Sequence, residues 1–110
     1  MTLSPFAEVV TEVPSTRSNV DVTLKVQGDL TFYDARLYER AFQHHFSRTF
    51  RDMCIDMSAS EHVDSTGIGI IVRLSQQLGD RGCLLLLEGV QPGVLKVFQV
   101  LKIDRVLSLV

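Results

Sequence analysis

The segment Val63-Asp64-Ser65-Thr66-Gly67-Ile68-Gly69-Ile70 places two hydroxyls and a carboxylate where an apolar strand gives way to a helix. Upstream, Met53-Cys54-Ile55-Asp56-Met57 reads as a short buried strand. Downstream, Ile68, Ile71, Val72 and Leu78 recur at helical spacing, so a helix starts at or near Ser65. The first turn of a helix presents N–H groups that lack intrahelical partners, together with the positive end of the macrodipole. Asp64 fits the N-cap of that helix, and a phosphate on Ser65 would lie close to its free donors.

Enzymatic readings of the same residues have little support. The Ser65 context is not the G-x-S-x-G of a nucleophile elbow, and neither a P-loop nor a G-x-G-x-x-G fingerprint is present. His62, three residues before Ser65, is the one nearby base, and a lone loop histidine is ordinarily solvated. His44 and His45 are adjacent and point apart on a helix, and with His62 they do not make a metal-ligand spacing. Cys54 and Cys83 sit in apolar strand-like runs without a C-x-x-C partner and read as small core hydrophobes. No catalysis, cofactor or metal is expected. Gly67 and Gly69 stand out because each costs about 1 kcal/mol relative to alanine inside a helix. Two readings are compatible: the helix start packs closely on a neighbouring segment, and the missing side chains leave a flat mouth through which another protein approaches Ser65.

Around this turn, residues 19–26 alternate, with Val20, Val22, Leu24 and Val26 on one face and Asp21, Thr23 and Lys25 on the other, which predicts a half-buried strand. Residues 7–13 are also strand-like, residues 14–18 supply a turn, and the region 7–26 is expected to pair as a hairpin. Gly28-Asp29 breaks the second strand. Asp34 can cap a helix running to Arg48, on which Tyr38, Phe42, Phe46 and Phe50 recur every four residues and Leu37 and Ala41 widen the stripe. Gly79 is placed as the C′ residue of the Ser65 helix, residues 80–82 turn, and residues 83–87 form a strand apolar on both faces, as a central strand covered by helices would be. Pro92 opens a last helix with Val94, Val97, Phe98 and Leu101 as its buried stripe, and residues 103–110 supply an edge strand. Strand-helix alternation in the second half predicts parallel pairing, hence an α/β domain with a mixed central sheet of about five strands and helices packed on it.

At 110 residues and 45% apolar content, the chain is expected to fold as one domain spanning 1–110. A formal charge of −2 and the absence of a Lys/Arg cluster argue against nucleic-acid binding. The start of the chain lacks a basic segment followed by an apolar run, and no stretch approaches the ~20 apolar residues that span a bilayer. A cytoplasmic protein is expected, without membrane insertion.

Four stretches together resemble the STAS domain of bacterial anti-sigma factor antagonists: Ile55-Asp56-Met57-Ser58, the Val63 to Gly69 segment, Gly82-Cys83-Leu84-Leu85-Leu86, and Val97-Phe98 followed by Ile103-Asp104. The resemblance covers about residues 20–106. It implies that Ser65 is phosphorylated by a partner that is both an anti-sigma factor and a serine kinase. It further implies that the unmodified form binds that partner, that the phosphorylated form does not, and that a cognate serine phosphatase resets the protein, with Thr66 as a minor acceptor. Asp64, Ser65, Thr66, Gly67, Ile68, Gly69, Thr31 and Phe32 become the expected contact residues, and the free protein is expected to be a monomer. Two departures stand out. Gly28-Asp29-Leu30-Thr31 replaces the usual G-E-L-D, so Thr31 takes the place of a carboxylate near the kinase interface. The chain also ends at Val110, where many members add a final helix, so thinner helical cover over the sheet is expected. Two other functions remain open: a constitutive scaffold or accessory subunit of the same fold, as in stress-sensing or lipid-transport complexes, and a small enzyme or nucleotide-binding domain using the Ser65 helix mouth.

Overall fold

Apolar alternation becomes a hairpin at the start of the computed structural model, which describes residues 9–110. Strand β1 (Val10–Val13) pairs antiparallel with β2 (Val20–Val26), with Val10 opposite Val26 and Val13 opposite Thr23. Residues 7 and 8 of the expected first strand lie outside the described residues. Three crossovers follow, through α1 (Ala35–Phe46) to β3 (Asp52–Asp56), through α2 (Ser65–Asp80) to β4 (Leu85–Glu88), and through α3 (Pro92–Val100) to β5 (Ser108–Leu109). A single 3₁₀ turn, Phe32–Asp34, precedes α1. The sheet order is β1-β2-β3-β4-β5 and every pair after the first is parallel. Right-handed crossovers that all step the same way along a sheet lay their helices on one face. The core accordingly joins Leu24, Met53, Ile55, Leu85 and Leu87 of the strands to Phe42, Ile71, Leu74, Leu78, Val94 and Phe98 of the helices.

One-sided cover corrects the expectation of helices over both faces of β4. Leu85 and Leu87 are buried, whereas Leu84 is exposed and Leu86 only half-buried. The opposite face is partly roofed by the 14–18 turn. Ser15 and Thr23 share a hydroxyl hydrogen bond of 3.0 Å, and Arg17 reaches Glu88 at 3.4 Å. This roof explains why Thr23, placed on the solvent side by alternation, is buried, and why Cys54 beside it is too. Burial, followed by the charge of Glu88, pushes the Cys54 thiol up to about 11, so it carries no reactive thiolate.

Helix ends depart from the sequence reading for identifiable reasons. The first long helix stops at Phe46 instead of Arg48, because Asp21 Oδ2 captures the N–H groups of Phe50 and Arg51 at 2.8 and 3.0 Å and pulls the chain toward β2. Phe50 is thereby thrown off the stripe and is 83% exposed, and Leu37 also faces outward. Asp34 occupies the N-cap position of α1, yet its side chain makes no cap hydrogen bond, the preceding 3₁₀ turn having already begun the coil. Gly79 is not a terminator: α2 continues to Asp80, and Gly82 takes the left-handed turn at φ 74°. β4 accordingly begins at Leu85, two residues later than the expected 83. Leu101, expected in the buried stripe of α3, is exposed.

Candidate functional site

The carboxyl ends of β2 and β3 point the same way, so the segments leaving them, 27–34 and 57–64, run side by side at the mouth of α2. Polar groups zip the two together. Ser60 Oγ donates to the Gly28 carbonyl at 2.6 Å, and Asp29 Oδ1 accepts from the Glu61 and His62 amides at 2.8 and 3.0 Å. Leu30 donates to the His62 carbonyl at 3.1 Å and accepts from the Asp64 amide at 3.4 Å, forming a parallel bridge with Val63.

Asp64 completes this arrangement. Its backbone is extended, as an N-cap residue requires, and Oδ1 accepts the Gly67 N–H at 2.9 Å. Oδ2 simultaneously accepts the Phe32 N–H at 2.9 Å. The hydrogen bonds from Gly67 and then Phe32 hold the Asp64 carboxyl below the ordinary carboxylate value. One carboxylate therefore caps α2 and ties the 3₁₀ turn to it. Beyond that tie, Phe32 and Tyr33 stand 60% and 83% exposed, with ring centroids 4.5 Å apart.

Ser65 and Thr66 are exposed on the first turn of α2, as the sequence reading requires of an acceptor. Gly67 settles between its two readings in favour of close packing: a Cβ there would overlap the Leu30 carbonyl and lie 3.0 Å from Leu30 Cγ. Gly69 has only the flexible end of Arg73 within 4 Å, at 3.9 Å, and lies half-buried next to the mouth. Ile68 is 9% exposed and belongs to the core, which removes it from the rim of any contact surface; buried Gly67 likewise offers none. Thr31 is half-buried behind Phe32, its carbonyl accepting the Asp34 N–H at 3.3 Å.

Ser65 is exposed beside groups that are already engaged elsewhere. Both Asp64 oxygens are engaged by amides, so the nearest carboxylate is a weak general base for the Ser65 hydroxyl. His62 is held through its amide by Asp29, and its exposed ring is not joined to Ser65 by a hydrogen bond. Among the described residues, no cluster of three His, Cys, Asp or Glu side chains could hold a metal. Asp29 and Ser60 were missed by the sequence reading. Asp29 was visible only as a strand breaker, and buried Ser60 carried no local signal, because its partner, Gly28, lies 32 residues away.

A capped, exposed serine thus stands at a helix mouth, at the carboxyl end of a mostly parallel sheet covered by helices on one face, in a small α/β domain. The STAS domain family model matches residues 11–110, and the chain belongs to that family. Solved structures agree on the fold. An anti-sigma factor antagonist from Mycobacterium paratuberculosis is 19% identical, with 98% of this chain and 89% of that one covered and a TM-score of 0.74. One from Thermotoga maritima is 20% identical over 84% and 81% of the two chains, with a TM-score of 0.73. The Bacillus cell fate determinant SpoIIAA in its phosphorylated form is 16% identical over 93% and 91%, with a TM-score of 0.66. No curated protein matches the sequence. Among the described residues, no helix is long and apolar enough to cross a membrane.

Proposed function

We propose that the protein is a phosphorylation-switched anti-sigma factor antagonist of the cytoplasm, itself without catalytic activity and monomeric when free. With Ser65 unmodified it binds an anti-sigma factor that is also a serine kinase; with Ser65 phosphorylated it releases that partner, and a serine phosphatase restores it. The observation that carries this reading is the exposed Ser65 hydroxyl on the first turn of α2, directly after a cap that holds the turn rigid. In the transfer, the Ser65 Oγ–P bond forms as the bond from phosphorus to a nucleoside diphosphate breaks. The hydroxyl proton leaves to a base supplied by the partner, since Asp64 is committed to two amides.

A phosphate adds a charge of about −1.5 to −2 at a mouth already occupied by the Asp64 carboxylate. A partner surface that closes on the unmodified serine would have to bury that dianion unmatched, and a penalty of only about 3 kcal/mol weakens binding roughly a hundredfold. Thr66 is a secondary acceptor, and the contact surface comprises Asp64, Ser65, Thr66, Gly69, Thr31 and Phe32. The test is intact-mass and site-mapping spectrometry of the protein from its native cells, with phosphatase treatment and Ser65→Ala as controls. Phosphate on Ser65 that is absent from the alanine variant supports the switch.

A constitutive scaffold of the same fold is the second reading, and one observation favours it. Val100 at the end of α3 and Leu101 just after it are exposed and, with Gly93, Lys96 and Val97, line a shallow apolar groove. An absence of phosphate in every growth condition would move this reading ahead.

A further inference from the structure

The double use of the Asp64 carboxylate has a regulatory consequence, which rests on Ser65 being the acceptor. We infer that a phosphate on Ser65 is sensed at the Phe32–Tyr33 aromatic pair, because it loosens the Asp64–Phe32 hydrogen bond that holds the pair against the mouth of α2.

Both oxygens of the Asp64 carboxylate are engaged. Oδ1 is committed to the Gly67 amide and Oδ2 to the Phe32 amide, each at 2.9 Å. A dianion on the next residue repels this carboxylate and competes with it for the same first-turn donors, since helix-start N–H groups donate to phosphate oxygens as readily as to carboxylate oxygens. Two of the contacts of Asp64 and its cap resist change. The Asp64 amide is held by Leu30, and Gly67 cannot move toward Leu30, because even one added atom would overlap that carbonyl. The Phe32 N–H is the outermost tie. Its own residue is 60% exposed, so water can replace the carboxylate there, and no other hydrogen bond of that amide competes with the solvent. Rotation of the carboxylate away from the phosphate thus breaks the Phe32 bond first and frees the two rings, which are tilted 35° to each other and lie at the edge of the surface that any protein closing on Ser65 Oγ must meet. Phosphorylation then acts on a partner twice: through the charge itself and through the loss of a preorganised aromatic step, and ordering such a step again on binding weakens affinity.

The experiment uses full-length protein with phosphoserine encoded genetically at position 65, so it does not depend on whether cells phosphorylate that site. Proton–nitrogen NMR and amide hydrogen exchange are followed at Phe32 and Tyr33. Asp64→Asn provides the reference for a broken tie, because asparagine is an equally good N-cap and the variant folds, while its amide nitrogen cannot accept from Phe32. In phosphoserine-65 protein the Phe32 amide is expected to move toward its position in the Asp64→Asn variant and to exchange about two- to tenfold faster, the range set by one hydrogen bond. Two results overturn the inference: a Phe32 amide unmoved by phosphoserine while residues 64–67 shift, or a Phe32 amide unmoved by Asp64→Asn. Absence of phosphate in native cells would instead remove the proposed function and leave this coupling measured.

Discussion

Replacing Gly67 by alanine should destabilise the protein although it removes a glycine from a helix. In an open helix the exchange gains about 1 kcal/mol. Here the new methyl would overlap the Leu30 carbonyl oxygen and lie 2.8 Å from its carbon and 3.0 Å from Leu30 Cγ, against about 3.5 Å for an ordinary contact. Leu30 cannot yield alone. It is fully buried, its N–H bonds the His62 carbonyl at 3.1 Å and its carbonyl accepts from Asp64 at 3.4 Å. The start of α2 must back away, which costs about 1–3 kcal/mol in overpacking and about 1 kcal/mol for each hydrogen bond strained in the zipper. Set against the propensity gain, the expected loss is about 2–3 kcal/mol, or roughly 2 M in a urea midpoint for a chain of this size. Gly69→Ala, two residues along the same helix, should do the reverse and stabilise by up to about 1 kcal/mol, because its only neighbour is the mobile tip of Arg73 at 3.9 Å. Urea unfolding of both variants followed by circular dichroism decides the matter. If Gly67→Ala proves as stable as the parent protein, the close approach of Leu30 to α2 is wrong and the glycine serves access instead.

The other predictions concern charge and chemistry. Ser65→Asp should bind the anti-sigma partner at least tenfold more weakly than the parent in a titration calorimeter; parental affinity would remove the proposed switch. Asp64→Ala should lower the thermal midpoint more than Asp64→Asn, since alanine loses both the cap and the Phe32 tie; this contribution is full above the ordinary carboxylate pKa and disappears as pH falls through the depressed folded value, which a pH series of melts will show. Burial, and then the neighbouring His44, lowers the pKa of His45, whose Nε2 is buried without a hydrogen-bond partner. The unfolded chain therefore binds the proton more readily, and stability should fall as pH drops from about 6.5 toward the lowered folded value, with a flatter profile in His45→Gln. Cys83 should react with a thiol reagent in the native state, and Cys54 only after unfolding, because the first is half-buried and the second is sealed under the 14–18 turn with its thiol pushed up to about 11.

Local patterns carried much of the architecture. The Asp64 cap, the start of α2 at Ser65 and the Pro92 start of α3 were readable because each depends on residues within one helical turn. What the sequence did not reveal depends on distant partners. The end of α1 is decided by Asp21, a residue of β2, and so the four-residue spacing through Phe50 misled. The burial of Thr23 is decided by a turn folding over the sheet, and that of Ile68 by which side of the mouth faces the core. At the site itself, the cap and the exposed serine proposed as the acceptor were legible from D-S-T-G, whereas the zipper from Ser60 and Asp29 and the second bond of Asp64 were not, since each spans about thirty residues of sequence.

This division has a physical basis that bears on the proposed switch. A sheet covered by helices on one face buries its core on that side, so the helix mouth at the carboxyl ends of the strands can be polar without exposing the core. Packing of α2 against the sheet through Ile71, Leu74 and Leu78 is insulated from whatever happens at Ser65. A charge added to the first turn therefore has only short-range routes by which to act: direct contact with a partner, and the single carboxylate that joins α2 to Phe32. The Leu30–Gly67 contact holds the two segments together at backbone level, so the proposed switch does not call for large refolding. Under the proposed function, a phosphate on Ser65 is therefore read at the surface, within reach of Asp64, which is where the aromatic pair stands.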